Sequence, residues 1–268
     1  MSLRIQNNVE AFNAHRNLQG VTDAVSKSME RLSSGYRINR AADDAAGLAI
    51  SEKMRAQIRG LAQDQRNTQD GVSLVQTAEG ALNTVHSMLQ RVRELAVQYQ
   101  NGSLSTSNQQ AIQSEVNQLA SEIERIGQST TFNGICLLNS TITVSFQVGA
   151  NDGEQISVAM ISLGSTVGSN YFQLSTTSGT GIASIDTAID NVSTQRAALG
   201  AVQNRLQYSL DNVGVYQENL VAAESRIRDV DMAEETVTLT KNQILAQAGT
   251  AMLSQANQSG QSVLSLLR

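Results

Sequence analysis

The sequence predicts a mainly α-helical protein: an elongated coiled-coil helical bundle with a small β-hairpin region, in which the N- and C-terminal helices pair. The 268 residues include no proline, so nothing in the composition interrupts long helices. With five Tyr, four Phe and no Trp, the chain has few large side chains for one bulky core, which favours thin cores. Apolar residues also recur every seven positions over a long stretch, which is typical of coiled coils.

The strongest periodic pattern lies between residues 185 and 230. Every seventh residue there is apolar: Ile185, Val192, Leu199, Leu206, Val213, Leu220 and Ile227. The matching second positions are interrupted by Gln195 and Ser209 but are otherwise apolar: Ala188, Val202, Tyr216, Ala223 and Val230. This pattern predicts a long helix with one side packed in a helical bundle.

Two further stripes in the first half of the chain predict the other helices of that bundle. One advances in steps of three and four: Val75, Ala78, Leu82, Val85, Leu89, Val92, Ala96 and Tyr99. The other is shorter: Ile112, Val116, Leu119, Ile123 and Ile126. A turn-rich segment at 101–107 separates them, so we expect an antiparallel helical hairpin. Its first helix is expected to begin at Asp43 or Asp44, which can cap free amide groups, and to end near residue 99.

A change of period to two marks the segment that follows. Apolar and polar residues alternate over 142–148 and again over 156–160, on either side of a turn at 149–153. This alternation predicts a β-hairpin. Residues 162–184 are rich in Ser, Thr and Gly and are expected to form a return loop. Three residues of that loop are a candidate short strand: Tyr171, Phe172 and Leu174.

Apolar stripes also mark both ends of the chain. The N-terminal stripe contains Ile5, Val9, Phe12, Leu18, Val21, Val25, Met29 and Leu32. The C-terminal stripe contains Ile244, Ala248, Met252, Ala256, Val263 and Leu267. Either helix alone would leave an apolar face in water, so the two are expected to pair with each other and with neighbouring copies. The stripes are therefore candidate self-assembly residues.

Composition and motifs exclude several classes of function. The net charge of −5 is interspersed, with no Lys or Arg run to bind nucleic acid or an anionic membrane surface. There is no Walker motif, no GxSxG and no HExxH around His15 or His86. We therefore expect no enzyme activity, no cofactor and no metal site. The single cysteine, Cys136, is interpreted as a small buried hydrophobe.

The sequence offers no segment suited to a membrane. Residues 1–8 lack the apolar stretch of a signal peptide, and no apolar run approaches the roughly 20 residues that a membrane span requires. Any export of this chain is therefore expected to use another route.

Five segments carry a resemblance to a known family. Residues 30–50 read ERLSSGYRINRAADDAAGLAI, which is similar to the N-terminal signature of bacterial flagellins. Further flagellin-like segments follow in the family's order: QRVRELAVQ at 90–98, FNG at 132–134, QVGANDG at 147–153 and VLSLLR at 263–268. The resemblance covers nearly the whole chain.

The resemblance implies a structural subunit that self-assembles into the hollow helical filament of the bacterial flagellum, which is used for motility. A hook–filament junction protein, also built from paired terminal helices, is the alternative. The resemblance further implies an inner core domain made of residues 1–42 and 228–268. The outer bundle domain would contain 43–180, with the β-hairpin, and the helix at 181–227.

The resemblance also implies an extracellular location, reached through the flagellar type III system without a cleaved signal peptide. The implied partners are other flagellin subunits, a flagellar export chaperone, the filament cap, hook-associated proteins and the vertebrate Toll-like receptor for flagellin. Arg91, Leu95 and Glu115 match the family positions that contact this receptor. Since residues 91 and 95 share a helix face and Glu115 lies on the partner helix, we expect one outward patch. Without a receptor they would be two solvated charges and an apolar residue beside the bundle core.

Overall fold

A computed structural model describes residues 8–139, 141–160, 162–163, 174 and 180–266, with side chains described except at 180 and 259–266. The described part contains five helices: α1 (Val9–Ser34), α2 (Ala45–Tyr99), α3 (Thr106–Ser129), α4 (Thr180–Arg228) and α5 (Met232–Leu266). It also contains two antiparallel hairpins: β1 (Thr131–Phe132) with β2 (Ile135–Cys136), and β3 (Thr143–Gln147) with β4 (Gln155–Ala159). The predicted fold class is confirmed. Of the candidate strand at 171–174, only Leu174 is described, and it is not in a strand.

The chain divides into two compact units. One comprises Met1–Ala56 and Asn219–Arg268, and the other comprises Gln57–Glu218. Each boundary between the units falls inside a long helix, so α2 and α4 both contribute residues to both units. The domain boundaries at residues 42 and 227, which came from the family resemblance, stay a prediction.

One hydrophobic core fills the unit of residues 57–218. The α4 heptad supplies buried Ile185, Val192, Leu199, Leu206 and Val213. From the α2 stripe come Val75, Ala78, Leu82, Val85, Leu89, Val92 and Ala96, and from α3 come Ile112, Val116 and Ile123. Strand β4 adds two buried residues, Ile156 and Val158. The three apolar stripes therefore pack together in one helical bundle, and the β3–β4 hairpin packs against the same core.

The contact between α2 and α4 becomes polar toward residue 217. Gln65 Nε2 donates to Gln217 Oε1 at 3.0 Å. Beside it, burial raises the pKa of the Asp64 carboxyl, and the negative charge of Glu154 raises it further. Tyr216, predicted at a second heptad position, is 44% exposed, so that expectation is wrong. The next residue, Gln217, is the one whose side chain reaches α2, where it accepts the hydrogen bond from Gln65.

Two of the glycines inside α2 mark where the β3–β4 hairpin packs. A Cβ added at Gly71 would lie 3.2 Å from the ring of Phe146, and one added at Gly60 would lie 3.3 Å from Ala150. Side chains at these two positions would push the hairpin away from the helix. Glycine is a poor helix former, and this cost at both positions is offset because glycine lets the hairpin approach the helix closely.

The small β1–β2 hairpin was not predicted. Its turn residues Asn133 and Gly134 have φ values of 48° and 79°, the left-handed region required at both central positions of a type I′ turn. The Asn-Gly dipeptide was the signal available in the sequence. Cys136 on β2 is half-buried rather than buried, because the following Leu137 and Leu138 take the core positions of this segment.

Candidate functional site

Helices α1 and α5 pack against each other and run antiparallel. Near one end, Asn8 Nδ2 donates to the carbonyl oxygen of Ala256 at 2.8 Å. Near the other end, Arg31 Nη1 lies 3.4 Å from Glu235 Oε2. Residue numbers therefore rise along α1 as they fall along α5. The pairing of the two terminal helices, part of the predicted fold class, is confirmed.

We define the contact face of this pair by the buried and half-buried residues that repeat in steps of three and four. On α1 it comprises Ala11, Ala14, Leu18, Val21, Val25, Ser28 and Leu32. On α5 it comprises Leu239, Asn242, Ala246, Gly249, Leu253 and Ala256. Small residues here let the two backbones approach. A Cβ added at Gly249 would lie only 3.1 Å from Leu18 Cδ1.

The predicted self-assembly residues divide into three groups. Three are half-buried in the contact face: Leu18, Val25 and Leu32. Five are exposed: Val9, Phe12, Ile244, Ala248 and Met252. Ile5 and Leu267 lie outside the described residues, and so does the side chain of Val263. The pairing of α1 with α5 therefore accounts for only part of the two apolar stripes.

Helix α5 has a second apolar face, which we call the outer face: Val237, Ile244, Leu245, Ala248 and Met252. Ala248 is two residues beyond Ala246 of the contact face, or roughly 200° around the helix. The side chains of the outer face are well exposed, with Ile244 at 60%. An open groove of about 480 Å³ on α5 is lined by Thr236, Val237, Thr240, Lys241, Ile244 and Leu245. From Thr236 onward, Lys241 is the single charged residue of α5.

Apart from Ala256, the contact face of α5 was missed from the sequence, and so was its ion pair. Both apolar faces of α5 repeat at helical spacing. The predicted stripe followed the outer face, which carries the larger side chains. The available signal was the run of small residues Ala246 and Gly249 between Leu239 and Leu253, spaced for a second face.

Backbone hydrogen bonds tie the connection between α1 and α2 to the connection between α4 and α5. The N–H of Arg37 donates to the carbonyl oxygen of Arg228 at 2.7 Å, and the N–H of Val230 donates to that of Gly35 at 3.0 Å. Gly35 ends α1 with a φ of 75°, a left-handed conformation that favours glycine. The flagellin-like segment 30–50 thus includes the point where both connections meet.

The Arg228 side chain reinforces this junction. Its guanidinium carbon lies 4.8 Å from the centre of the Tyr36 ring, and its Nη1 lies 3.0 Å from Glu52 Oε1. A guanidinium over an aromatic face is an electrostatic attraction that adds to the backbone bonds. The junction is therefore held by one cation that contacts both a ring and a carboxylate.

Two neighbouring aspartates have different tasks in this segment. Asp44 Oδ1 accepts from the N–H of Gly47 at 2.8 Å and so caps α2, which settles which of the two predicted residues begins the helix. Asp43 instead accepts from the backbone N–H groups of Asn39 and Arg40, and its Oδ1 lies 2.7 Å from Lys27 Nζ. The hydrogen bond from Lys27, followed by that from Arg40, lowers the pKa of Asp43 to about 2.

Replacing Asp43 with Asn is expected to destabilise the pairing of segment 39–43 with α1. Because the folded pKa lies below the ordinary value of 3.8, Asp43 stabilises the fold above that value, and this contribution disappears as the pH falls through about 2. The melting temperatures of wild type and Asp43→Asn should differ at pH 7 and converge between pH 4 and 2. A difference that stays constant over that range would contradict this role.

The three predicted receptor residues do not form one outward patch. Arg91 Nη2 lies 3.0 Å from Glu115 Oε1 across α2 and α3, and Arg91 also pairs with Glu94 at 3.2 Å. These bonds, with Glu115 first, raise the pKa of Arg91. Leu95, however, is only 2% exposed, so an outward apolar residue at this place is wrong. It lies one turn from Arg91 on α2 and belongs to the hydrophobic core of the bundle.

The described residues contain no cluster of three or more His, Cys, Asp or Glu side chains placed to hold a metal ion. In the same part of the chain, no helix combines the length and apolar character needed to cross a membrane.

Two family models match this architecture. The bacterial flagellin N-terminal helical region matches residues 5–143, and the bacterial flagellin C-terminal helical region matches residues 182–267. A flagellin of Halalkalibacterium halodurans is 53% identical over 98% of this chain and 99% of its own length. The N-terminal and C-terminal helical segments of this chain therefore both belong to a known class of filament-forming proteins. The chain belongs to the bacterial flagellin family.

Solved structures agree on the fold. The crystal structure of Bacillus cereus flagellin is 32% identical with a TM-score of 0.51, and the match covers 59% of this chain and 94% of that one. A putative flagellar hook-associated protein from Vibrio parahaemolyticus matches with a TM-score of 0.50 over 70% of this chain and 97% of its own. Its identity is only 14%, so this likeness shows the fold alone and does not support the hook–filament alternative.

Proposed function

We propose that this chain polymerises through the outer face of α5 and the exposed residues near the start of α1. As a flagellin, it is a structural subunit of the bacterial flagellar filament. The observation that carries the proposal is the outer face itself, five apolar side chains on a helix that already has one packed face. Such a face in water is unfavourable, and covering it with a neighbouring copy removes apolar surface from solvent.

The composition of α5 supports burial of this face against protein. Around the outer face, polar residues are mostly uncharged Gln, Asn, Ser and Thr, whose desolvation costs much less than that of an ion. Lys241 lies at the groove and can keep its ammonium group in water at the end of a long apolar stem. On α1, Val9 and Phe12 add exposed apolar surface at the end that pairs with the C-terminal part of α5.

Seeded polymerisation tests this proposal. Purified chain would be added to short fragments of its own filament, and elongation would be followed by electron microscopy. We expect growth with the wild type and with Gln243→Asp, since Gln243 is exposed but lies roughly 100° around the helix from Ile244, away from the outer face. Ile244→Asp should stop growth, because it places a carboxylate in the proposed contact. Equal growth by the two variants would contradict the use of the outer face.

Export and the further partners are proposals that rest on family membership. We infer that the chain leaves the cell through the flagellar type III system, with help from an export chaperone, and joins the filament beside cap and hook-associated proteins. In a bacterium lacking that export apparatus, the chain should stay inside the cell. Its appearance in the medium at the wild-type level would contradict this route.

Recognition by the vertebrate Toll-like receptor for flagellin is a second proposal, centred on Arg91 and Glu115. Their exposed ion pair offers a charged surface across α2 and α3, and Leu95, one turn from Arg91 on α2, is buried in the core. Leu95→Ala would therefore act through packing rather than through direct contact.

Arg91→Ala is expected to weaken receptor activation by soluble chain while leaving stability within about 0.5 kcal/mol, as is usual for surface changes. Arg93→Ala is the matched control, because Arg93 is equally exposed, at 51% against 52%, and pairs with Asp186 in place of Glu115. Receptor-driven reporter output would be measured for both variants. Equal potency of Arg91→Ala and wild type would remove this surface from the proposal.

A further inference from the structure

Met252 is an oxidisable residue at the C-terminal end of the outer face of α5, within the proposed contact. It is 65% exposed on the outer face of α5, one helical turn from Ala248. Met160, by contrast, is 4% exposed in the core of the bundle unit. The sulfur of Met252 is therefore open to small oxidants in the free chain, whereas that of Met160 is shielded by packing.

The reaction requires only a peroxide as co-reactant. The thioether sulfur uses an electron pair to attack one oxygen of hydrogen peroxide, a sulfur–oxygen bond forms, and the oxygen–oxygen bond breaks. The remaining oxygen leaves as water after proton transfer. The sulfur is oxidised by two electrons and the peroxide is reduced by two. The product, methionine sulfoxide, is polar where the thioether was apolar.

We propose that Met252 is a modification site at which peroxide prevents the free chain from adding to a polymer. This inference rests on the proposed use of the outer face in assembly. A sulfoxide oxygen needs hydrogen-bond donors. On this side of α5, Leu245 and Ala248 have none, and the nearest donor is the amide group of the exposed Gln255, three residues beyond Met252. Burying the oxygen between subunits out of reach of that amide would leave it unsatisfied, at a cost of about 1–3 kcal/mol.

Assembly would also protect the same sulfur. Once a neighbouring copy covers the outer face, peroxide reaches Met252 only at the exposed end of a polymer. Oxidation therefore acts on chains before they are added, and a finished polymer resists it. Methionine sulfoxide reductases can return the sulfur to the thioether, so the block is reversible.

Peroxide treatment of the purified chain, followed by peptide mass analysis and seeded elongation, tests the proposal. We expect oxygen to be added to Met252 well before Met160. The oxidised chain should elongate seeds roughly tenfold more slowly or worse, since 1.4 kcal/mol corresponds to a factor of ten. Treatment with methionine sulfoxide reductase should restore elongation. Preformed filaments should acquire oxygen at Met252 much more slowly than free chain.

Among the described residues, the other exposed methionines are Met29 and Met232, and Met252→Leu separates the proposed site from them. Leucine keeps the face apolar but cannot be oxidised, so peroxide-treated Met252→Leu should elongate like untreated chain. If treated Met252→Leu were blocked as strongly as treated wild type, or if treated wild type elongated normally, the assignment would be overturned. Failure of the untreated wild type to elongate would instead contradict the assembly proposal on which this inference rests.

Discussion

Removing residues 245–268 is expected to abolish polymerisation while leaving the bundle of residues 57–218 folded. From the contact face the deletion takes Ala246, Gly249, Leu253 and Ala256, and from the outer face it takes Leu245, Ala248 and Met252. What remains of α5 can neither hold α1 along its N-terminal half nor offer a continuous apolar surface. The bundle unit has its own core from α2, α3 and α4, so its melting should change little.

Deleting residues 1–30 should have the same effect from the other side, because α5 would lose nearly the whole contact face of α1. Both deletions would be followed by seeded elongation and by circular dichroism on heating. Preserved cooperative melting together with lost elongation is the expected pair of results. Normal filaments from either truncated chain would show that the terminal helix pair is not needed for assembly.

Leu206→Asp is expected to produce the largest loss of stability. Leu206 is fully buried at a heptad position of α4. Losing the burial of one leucine costs roughly 1.5–3 kcal/mol, and an unpaired carboxylate in the same place adds a desolvation cost. For a unit of this size the melting temperature should fall by roughly 10 °C or more.

The neighbouring substitution Gln207→Asp is the matched control, because residue 207 is exposed and the added charge is the same. A surface change of this kind should shift stability by about 0.5 kcal/mol or less. Thermal unfolding of the three chains by circular dichroism gives the comparison. An unchanged melting temperature for Leu206→Asp would mean that this heptad position does not lie in a core.

The helices of the bundle could be predicted because burial on one side imposes a period that the sequence records. Every heptad residue of α4 from 185 to 213 is buried, as the pattern predicted. The prediction was wrong for Tyr216, since the side chain that reaches α2 here is that of the next residue, Gln217. Leu95 was also placed incorrectly. Its helix position was known, but which side of α2 the next helix covers depends on how the two helices pack.

The assembly site was predictable only in part. The apolar stripes were visible, but a stripe does not say whether its partner lies in the same chain or in another one. The structure shows Leu18 and Val25 half-buried in the contact face and leaves Ile244 and Met252 exposed. Contacts that join distant segments, such as Arg31 with Glu235, have no local signature and could not be predicted.

A reconstruction of the filament by electron microscopy tests the central claim most directly, since it shows what covers the outer face of α5. We predict that Ile244, Ala248 and Met252 lie within van der Waals contact of a neighbouring subunit, while Leu18 still packs against Gly249 of its own chain. A filament in which those three residues face solvent would contradict it.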